Sequence, residues 1–253
     1  MAEILSIALA SMQLDMKRLD SVAQNLANAS TPGYRSSSIS ASSGNISFNQ
    51  MVRAIKVENP IVAKSSLNLT PGSLRVTNQP LDLALASSGY FEVKTGDGIA
   101  YTRQGDFKID TQGRLATQTG HTVSGNDGPI YLKRPDPAID DSGQVFEWNA
   151  EASEKRLVGK IKIVEIENPS ALRAVGSSLW VDSESNREEN STNIKPSGNF
   201  RLKQGNLENS NTKSMNEMIS LIQVMRHFES MQKITQGYDE MLGTSIRKLG
   251  DVG

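Results

Sequence analysis

Apolar residues near the start of the chain recur at alternating steps of four and three positions. The residues that follow this pattern are Leu5, Leu9, Met12, Met16, Leu19, Ala23 and Leu26. Such spacing places the side chains on one stripe of a helix, and it is typical of a helix that packs against another helix. The sequence therefore predicts an amphipathic N-terminal helix that needs a partner.

This helical pattern ends in the stretch NLANASTPGYR, which starts at Asn25. Thr31 precedes a proline and is therefore disfavoured in the α conformation. Pro32 fixes its own φ, and Gly33 can adopt the positive φ that the third position of a type II turn requires. We expect the helix to stop here and the chain to turn. The side chains of Asn25 and Asn28 could bond free carbonyls at the helix end or contact a neighbouring subunit.

A helical period returns after Gly205, at the far end of the chain. Its main stripe consists of Leu221, Val224, Phe228, Met231, Thr235, Tyr238 and Leu242, and Met218, Ile222 and Met225 widen it at its start. Two interpretations remain open. The stripes of the two helices satisfy one another and cap the rest of the protein, or the apolar surface left over packs against copies of the same helices in neighbouring subunits.

The middle of the chain consists of short β-like runs separated by turn residues. Gly98, Gly113, Gly128 and Gly143 each follow a polar residue between two such runs, as expected of an antiparallel meander. Further strands are predicted in QVFEW at 144–148, in VGKIKIVEI at 158–166 and in SLWV at 178–181. The serine-rich residues 36–47 show neither a helical nor a strand period, and they are predicted to form a linker or a mobile surface loop.

These patterns predict an α+β fold in which N- and C-terminal helices pair in a coiled-coil-like domain around a mainly antiparallel, all-β middle domain. The predicted parts are an N-terminal helix in residues 1–35, a connector in 36–68, a β-rich outer domain in 69–205 and a C-terminal helix in 206–253 that pairs with the first.

Composition and charge narrow the choice of function. Lys plus Arg number 27 against 28 for Asp plus Glu, so a net charge of -1 offers no general attraction to nucleic acid. The absence of cysteine excludes disulfides and thiolate metal sites. The N-terminus does not resemble a secretory signal, since Glu3 stands where a basic region belongs, and no apolar run reaches the ~20 residues of a membrane span.

Neither an enzyme nor a sugar-binding module has clear support in the sequence. His121 and His227 are too far apart in the chain to suggest a metal site or a catalytic triad. The acids in DPAIDDSGQ at 136–144 lack the alternation of a calcium loop and are more easily explained as a solvated loop. Trp148 and Trp180 could serve an adhesin, but both lie in predicted strands, where most aromatic side chains belong to the core.

Four stretches resemble, in order, the shared blocks of the bacterial flagellar rod and hook family. They are NLANASTPGYR, PLDLALASSGYFEV, YTRQGDFKIDTQGRL and QGNLENSNTKSMNEMISLIQVMRHFE. The length and the phrase GHTVSGNDGPIYL at 120–132 look most like the proximal-rod members, and the distal-rod members are close relatives of similar size. Residues 134–154 match nothing in the family pattern.

The resemblance implies a non-catalytic structural subunit without cofactors or metals, located in the rod of the flagellar basal body. Such proteins are secreted unfolded through the flagellar type III export apparatus and assemble with copies of themselves and with other rod subunits. The resemblance also implies that the terminal helices line the inner tube, that the β domain faces outward, and that nucleic acid and membrane insertion play no part.

Two groups of candidate residues follow from the periodicity and the resemblance. The residues predicted to pack subunits together are Leu5, Leu9, Met12, Met16, Leu19, Leu26, Leu221, Val224, Phe228, Met231, Tyr238 and Leu242. The residues of the family motif are Asn25, Asn28, Thr31, Pro32, Gly33 and Tyr34.

Overall fold

A computed structural model describes residues 2–42, 62–149, 154–166, 172–176, 178–182, 194–197 and 200–250. The chain divides into two compact units. The helical unit contains Met1–Ala27, Ser37–Asn68 and Thr212–Gly253, and the β unit contains Asn28–Ser36 and Leu69–Asn211. The fold is α+β, with a helix near each end of the chain and mainly antiparallel strands, as the sequence predicts.

Two long helices form most of the helical unit. Helix α1 spans Ala2–Ala27, and helix α2 spans Ser214–Gly250. Helix α1 stops four residues before Thr31, because the following turn takes the chain out of the helical conformation. Across the described residues, no helix is long and apolar enough to cross a membrane.

The helical unit also contains a β-ladder that the sequence analysis missed. Strand β1, Ser37–Ser42, pairs in antiparallel fashion with β2, Val62–Leu67. The prediction of an irregular linker is therefore wrong for Ser37–Ser42, and residues 43–47 lie outside the described residues. The hydroxyls of Ser38 and Ser66 bond across the ladder at 2.9 Å, so polar side chains support strands that lack an apolar alternation.

The β unit contains all the other strands of the described chain. They are β3 (Leu74–Val76), β4 (Leu83–Leu85), β5 (Tyr90–Thr95), β6 (Gly98–Thr102), β7 (Phe107–Ile109), β8 (Leu115–Thr117), β9 (Thr122–Gly125), β10 (Gly128–Pro129), β11 (Ala138–Ile139), β12 (Gln144–Asn149), β13 (Glu154–Lys160), β14 (Ile163–Ile166), β15 (Leu172–Gly176), β16 (Leu179–Asp182), β17 (Ile194–Pro196), β18 (Leu202–Gln204) and β19 (Asn206–Glu208).

Strand β5 is the centre of the largest sheet. The main path of this sheet runs β15-β16-β6-β5-β9-β8-β7, with β10 paired to β9, and β14 paired to β5 and β17. Strands β11, β12 and β13 form a second sheet, while β18 pairs with β4 and β19 with β3. The turns predicted at Gly98, Gly113, Gly128 and Gly143 are confirmed, and each of these glycines has a positive φ.

The core of the β unit lies around Phe91, whose ring meets that of Phe107 edge to face at 5.1 Å. Leu83, Leu115 and Val123 are fully buried in the same cluster. Each of these side chains comes from a different short strand. Their packing therefore joins strands that are not all paired with one another. Burial of such side chains contributes roughly 1.5–3 kcal/mol each.

Two strand boundaries differ from the sequence prediction. The run at 158–166 is not one strand, because Ile161 and Lys162 separate β13 from β14 and donate their amides to Gly143 and Ser124. The C-terminal helix begins at Ser214 and not at 206, because residues Asn206–Glu208 pair with β3 instead. The spacing of apolar residues does not show where a segment stops pairing with one strand and begins to pair with another.

The same aspartate turn occurs twice in the β unit, in DTQGR at 110–114 and DDSGQ at 140–144. In the second turn, Asp140 Oδ1 accepts bonds from the amides of Ser142 at 3.0 Å and Gln144 at 2.8 Å, and from the Ser142 hydroxyl. Partial burial opposes ionisation of Asp140, yet these bonds and nearby Lys160 outweigh it and lower its pKa. Asp140 therefore orders a hairpin turn, which gives this acid a structural role.

One aromatic prediction is wrong. Trp180 is 2% exposed and packs edge to face on Tyr90, as predicted for a core residue. Trp148 is 52% exposed, although it lies in β12 as expected. The reason is its position in the three-stranded sheet: Val145 turns toward the core, and Trp148 stands on the opposite face of the same strand.

We expect Asp140→Ala to destabilise the β unit by about 1 kcal/mol, because three hydrogen bonds to the turn are lost in a solvent-accessible position. Asp141→Ala is the matched control, since the neighbouring acid is exposed and its backbone is retained. Urea unfolding followed by the fluorescence of buried Trp180 measures both. The loss of unfolding free energy caused by Asp140→Ala should shrink as the pH falls through the lowered pKa of Asp140, because protonation of this carboxylate removes its contribution to the folded state.

Candidate assembly surface

Helix α2 has two apolar faces. The first is the predicted stripe, and every member of it is half-buried: Leu221, Val224, Phe228, Met231, Tyr238 and Leu242. The side chains of this face turn toward the interior of the helical unit, but none is fully covered. The stripe that the sequence predicts for packing between subunits is therefore partly used within the chain.

The second apolar face of α2 is exposed and lies at its N-terminal end. We call it the Met-Ile face, and it consists of Met215, Met218, Ile219, Ile222 and Met225. Met215 is 76% exposed, and the other four are about half exposed. At 100° per residue these positions centre roughly opposite the half-buried stripe. Periodicity predicts that Met218, Ile222 and Met225 widen the half-buried stripe, whereas the structure places them on a separate surface.

The predicted residues of α1 divide in a similar way. Leu9 and Met16 are exposed, while Met12, Leu19 and Leu26 are half-buried. The side chain of Leu5 lies outside the described residues. Among the α1 side chains that the structure describes, the most buried apolar ones are instead Ala8 and Leu14, which the predicted stripe leaves out.

Polar side chains connect α1 and α2 within the helical unit. The Asp15 carboxylate is 1% exposed, and its Oδ2 lies 2.5 Å from Nδ1 of His227. Arg18 Nη1 approaches the other oxygen of Asp15 at 3.4 Å. Nearer the end of α1, Asn25 Nδ2 donates to Glu217 Oε2 at 3.3 Å. No local pattern in the sequence predicts the contact of His227 with Asp15, because the two residues are 212 positions apart.

Asn25 also attaches strand β1 to helix α1. Its Nδ2 donates to the Ser37 carbonyl at 2.8 Å, and its Oδ1 accepts the Ser37 amide at 3.0 Å. Ser21 Oγ adds a bond to the same carbonyl at 3.0 Å. The amide of Asn25 thus occupies both backbone groups of one residue, as a neighbouring strand would.

The family motif forms the predicted turn. The Tyr34 amide donates to the Thr31 carbonyl at 3.3 Å across Pro32 and Gly33, and Gly33 has a φ of +66°. A Cβ at Gly33 would lie 2.4 Å from the carbonyl carbon of Arg103, so no larger residue fits without movement of the backbone. Asn28 Oδ1 accepts the Thr31 hydroxyl at 3.1 Å and so braces the start of the turn.

A buried ion pair holds this turn to the rest of the β unit. Arg35 Nη2 lies 2.5 Å from Glu208 Oε1, and both side chains are 1% exposed. The same oxygen accepts the Gly72 amide at 2.9 Å, and the Glu208 carbonyl accepts the Gly33 amide at 2.7 Å. Glu208 therefore connects three segments that are distant in sequence.

A second arginine adds positive charge next to this pair. Arg103 Nη1 lies 3.8 Å from Glu208 Oε2, its Nη2 donates to the Ser87 carbonyl at 2.8 Å, and its guanidinium covers the Tyr90 ring at 5.5 Å. Burial lowers the pKa of Arg103, Glu208 opposes this effect, and Arg35 adds to it. Arg35 and Arg103 are two buried cations that share the Glu208 carboxylate, so the stability of this part of the β unit depends strongly on Glu208. Sequence reasoning missed it, although Arg35 and Glu208 both lie in family blocks.

We expect Glu208→Gln to destabilise the β unit by about 3–5 kcal/mol, because it leaves Arg35 and Arg103 buried without a countercharge. Glu165→Gln is the control, since Glu165 is an exposed carboxylate on a strand of the same unit, and its change should stay within about 0.5 kcal/mol. Chemical unfolding measures both variants. Equal stability of the two would show that the buried pair contributes little.

Two family models match the chain. Residues 203–248 match the C-terminal domain of the flagellar basal body rod FlgEFG proteins, and residues 84–165 match the D1 domain of the flagellar hook protein FlgE/F/G family. The first match contains the buried Glu208 and the Met-Ile face. The second contains both aspartate turns and most of the large sheet.

Relatives of two types cover nearly the whole chain. The flagellar basal-body rod protein FlgF of Salmonella typhimurium is 30% identical over 239 residues, which are 90% of each chain. FlgG of Borreliella burgdorferi is 29% identical over 96% of this chain and 97% of its own, and FlgG of Bacillus subtilis is 30% identical over 89% and 90%. The chain therefore belongs to the family of flagellar basal-body rod proteins and is similar to its FlgF and FlgG members alike.

Proposed function

We propose that the chain is a non-catalytic building block of the proximal rod that packs the Met-Ile face of α2 against helices of neighbouring rod subunits. Membership in the family makes the chain a structural subunit of the rod, located in the flagellar basal body. The observation that carries the proposal is the exposure of five large apolar side chains on one end of one helix. Contiguous apolar surface of this kind marks an interaction site in most soluble proteins.

The composition of the Met-Ile face fits a surface that meets several similar partners. Three of its members are methionines, whose flexible side chains adapt to neighbours of different shape. Removing half of each side chain from water contributes about 1 kcal/mol per residue. A single contact of this size is weak, but a rod subunit with neighbours on several sides makes many such contacts.

We further propose that α1 and α2 pair in a coiled-coil-like manner. The half-buried residues of α2 follow each other at steps of three and four, which is the spacing of a helix–helix seam. The contacts of Asp15 with His227 and of Asn25 with Glu217 support an antiparallel arrangement, because the order of the partners reverses along α2. In this pairing one face of α2 serves its own chain, and the Met-Ile face is left for other subunits.

Proximal placement is the first choice, and distal placement is the alternative. The phrase GHTVSGNDGPIYL and the chain length favour the FlgF type, while relatives of the FlgG type have similar identity and coverage. Either placement makes copies of this chain and other rod subunits its partners. We propose that the flagellar type III export apparatus delivers it, with helices that gain their final stability from packing during assembly.

The placement can be tested by deleting the gene in its source organism and imaging purified basal bodies. We expect a rod that stops short above the membrane ring, restored by the full-length gene. A rod that lacks only its outer part or its hook would favour the distal alternative. Intact, functional flagella would contradict both placements.

The packing surface can be tested with Ile222→Asp in the same deletion strain. We expect loss of incorporation into the rod, because a carboxylate would have to be buried against a neighbouring subunit at a cost of several kcal/mol. Gln223→Asp is the matched control, since the adjacent residue is exposed and polar and lies off the Met-Ile face.

The readouts are swimming motility and the amount of the chain in purified basal bodies, with the urea unfolding of Trp180 to show that the β unit is intact. Normal incorporation of Ile222→Asp would contradict the proposed surface. Equal loss with Gln223→Asp would indicate that any charge in this part of α2 is harmful.

A further inference from the structure

The two polar contacts between α1 and α2 have the same spacing in both helices. Asp15 and Asn25 are ten residues apart in α1, and their partners His227 and Glu217 are ten residues apart in α2. At a rise of 1.5 Å per residue, the contacts are separated by about 15 Å along each helix. Both contacts are therefore made in one antiparallel alignment, without a slip between them.

The apolar residues of these helices do not define that alignment by themselves. The half-buried stripe of α2 repeats at steps of three and four, so a slip of seven residues places apolar side chains opposite apolar side chains again. Most of these side chains are only half covered, and poor burial leaves little energy with which to distinguish one alignment from another. A position-specific contact is needed for a unique pairing.

We propose that Asp15 with His227 and Asn25 with Glu217 select the alignment of the two terminal helices, and so decide where along α1 the Met-Ile face of α2 lies. This inference rests on the proposed pairing of α1 and α2. A slip of seven residues would move His227 about 10 Å away from Asp15 along the axis. It would leave the Asp15 carboxylate, which is 1% exposed, with its 3.4 Å contact to Arg18 but without the contact to His227.

The energetics favour such a role, because an unpaired buried carboxylate is costly, whereas the apolar contacts change little on slipping. A buried polar residue that fixes the register of paired helices is the best-supported use of such groups. The acid lies on α1 in one contact and on α2 in the other. If the partners were exchanged, Asp15 would face Glu217, and the two negative charges would repel each other.

The alignment can be read by cysteine cross-linking, because the chain has no cysteine of its own. In the observed alignment Ser11 lies level with Met231, and after a slip of one heptad it lies level with Val224 or Tyr238. All four residues are half-buried. The double variants Ser11→Cys/Met231→Cys, Ser11→Cys/Val224→Cys and Ser11→Cys/Tyr238→Cys are oxidised in purified basal bodies, and cross-links within one chain are separated by mass from those between chains.

We expect the Ser11–Met231 cross-link to exceed both slipped cross-links by about tenfold or more. The combined changes Asp15→Leu, His227→Leu and Glu217→Leu should bring the slipped and observed cross-links to within about threefold of each other. The matched control replaces three exposed glutamines of the same helices, Gln13→Leu, Gln223→Leu and Gln232→Leu, and should keep the tenfold preference.

The inference is overturned if the triple variant keeps the full preference for Ser11–Met231, since apolar packing would then set the alignment while the pairing itself stands. Absence of every cross-link in the otherwise unchanged chain would contradict the pairing and, with it, the inference. If the triple variant does not assemble, the same ratios are measured on the purified full-length chain.

Discussion

Helix α2 has more apolar surface than a single partner helix can cover. This constraint decides how many partners the helix needs. Its half-buried stripe and its exposed Met-Ile face lie on roughly opposite sides. A helix can bury opposite faces only by contacting partners on both sides. One partner is available within the chain as α1, and the second partner that we propose is a neighbouring subunit. A subunit of a multi-subunit rod meets this requirement, whereas an isolated monomer leaves the second face in water.

Polar contacts supply the specificity that this apolar surface lacks. In the β unit, Glu208 joins Arg35, Gly33 and Gly72 through one ion pair and two hydrogen bonds. In the helical unit, Asp15 and Asn25 bond α2 at two levels. In both units burial makes such contacts costly to break, which is why a few of them can decide an arrangement whose stability comes mainly from apolar packing.

Local patterns in the sequence predict much of this fold, because helices, type II turns and hairpins depend on residues close in the chain. The period of α1 and α2, the turn at Thr31–Tyr34 and the glycine turns at Gly113 and Gly143 are of this kind. Strand β1 escaped prediction because its serines gain their order from Asn25 and from β2, not from an apolar alternation. The pair of Arg35 and Glu208 escaped because no local pattern connects residues that lie 173 positions apart.

The same distinction separates the two apolar faces of α2. Periodicity identifies Met218, Ile222 and Met225 as apolar positions on a helix, but it cannot say which side the chain itself covers. That choice depends on contacts with α1, over about 200 residues of sequence. In the β unit, seven of the thirteen described ladders join neighbouring strands, such as β5 with β6 and β12 with β13, and these have little loop entropy to overcome. We infer that these local hairpins can form before the helix pair, which closes about 200 residues of chain, so that the alignment of the two helices is fixed late.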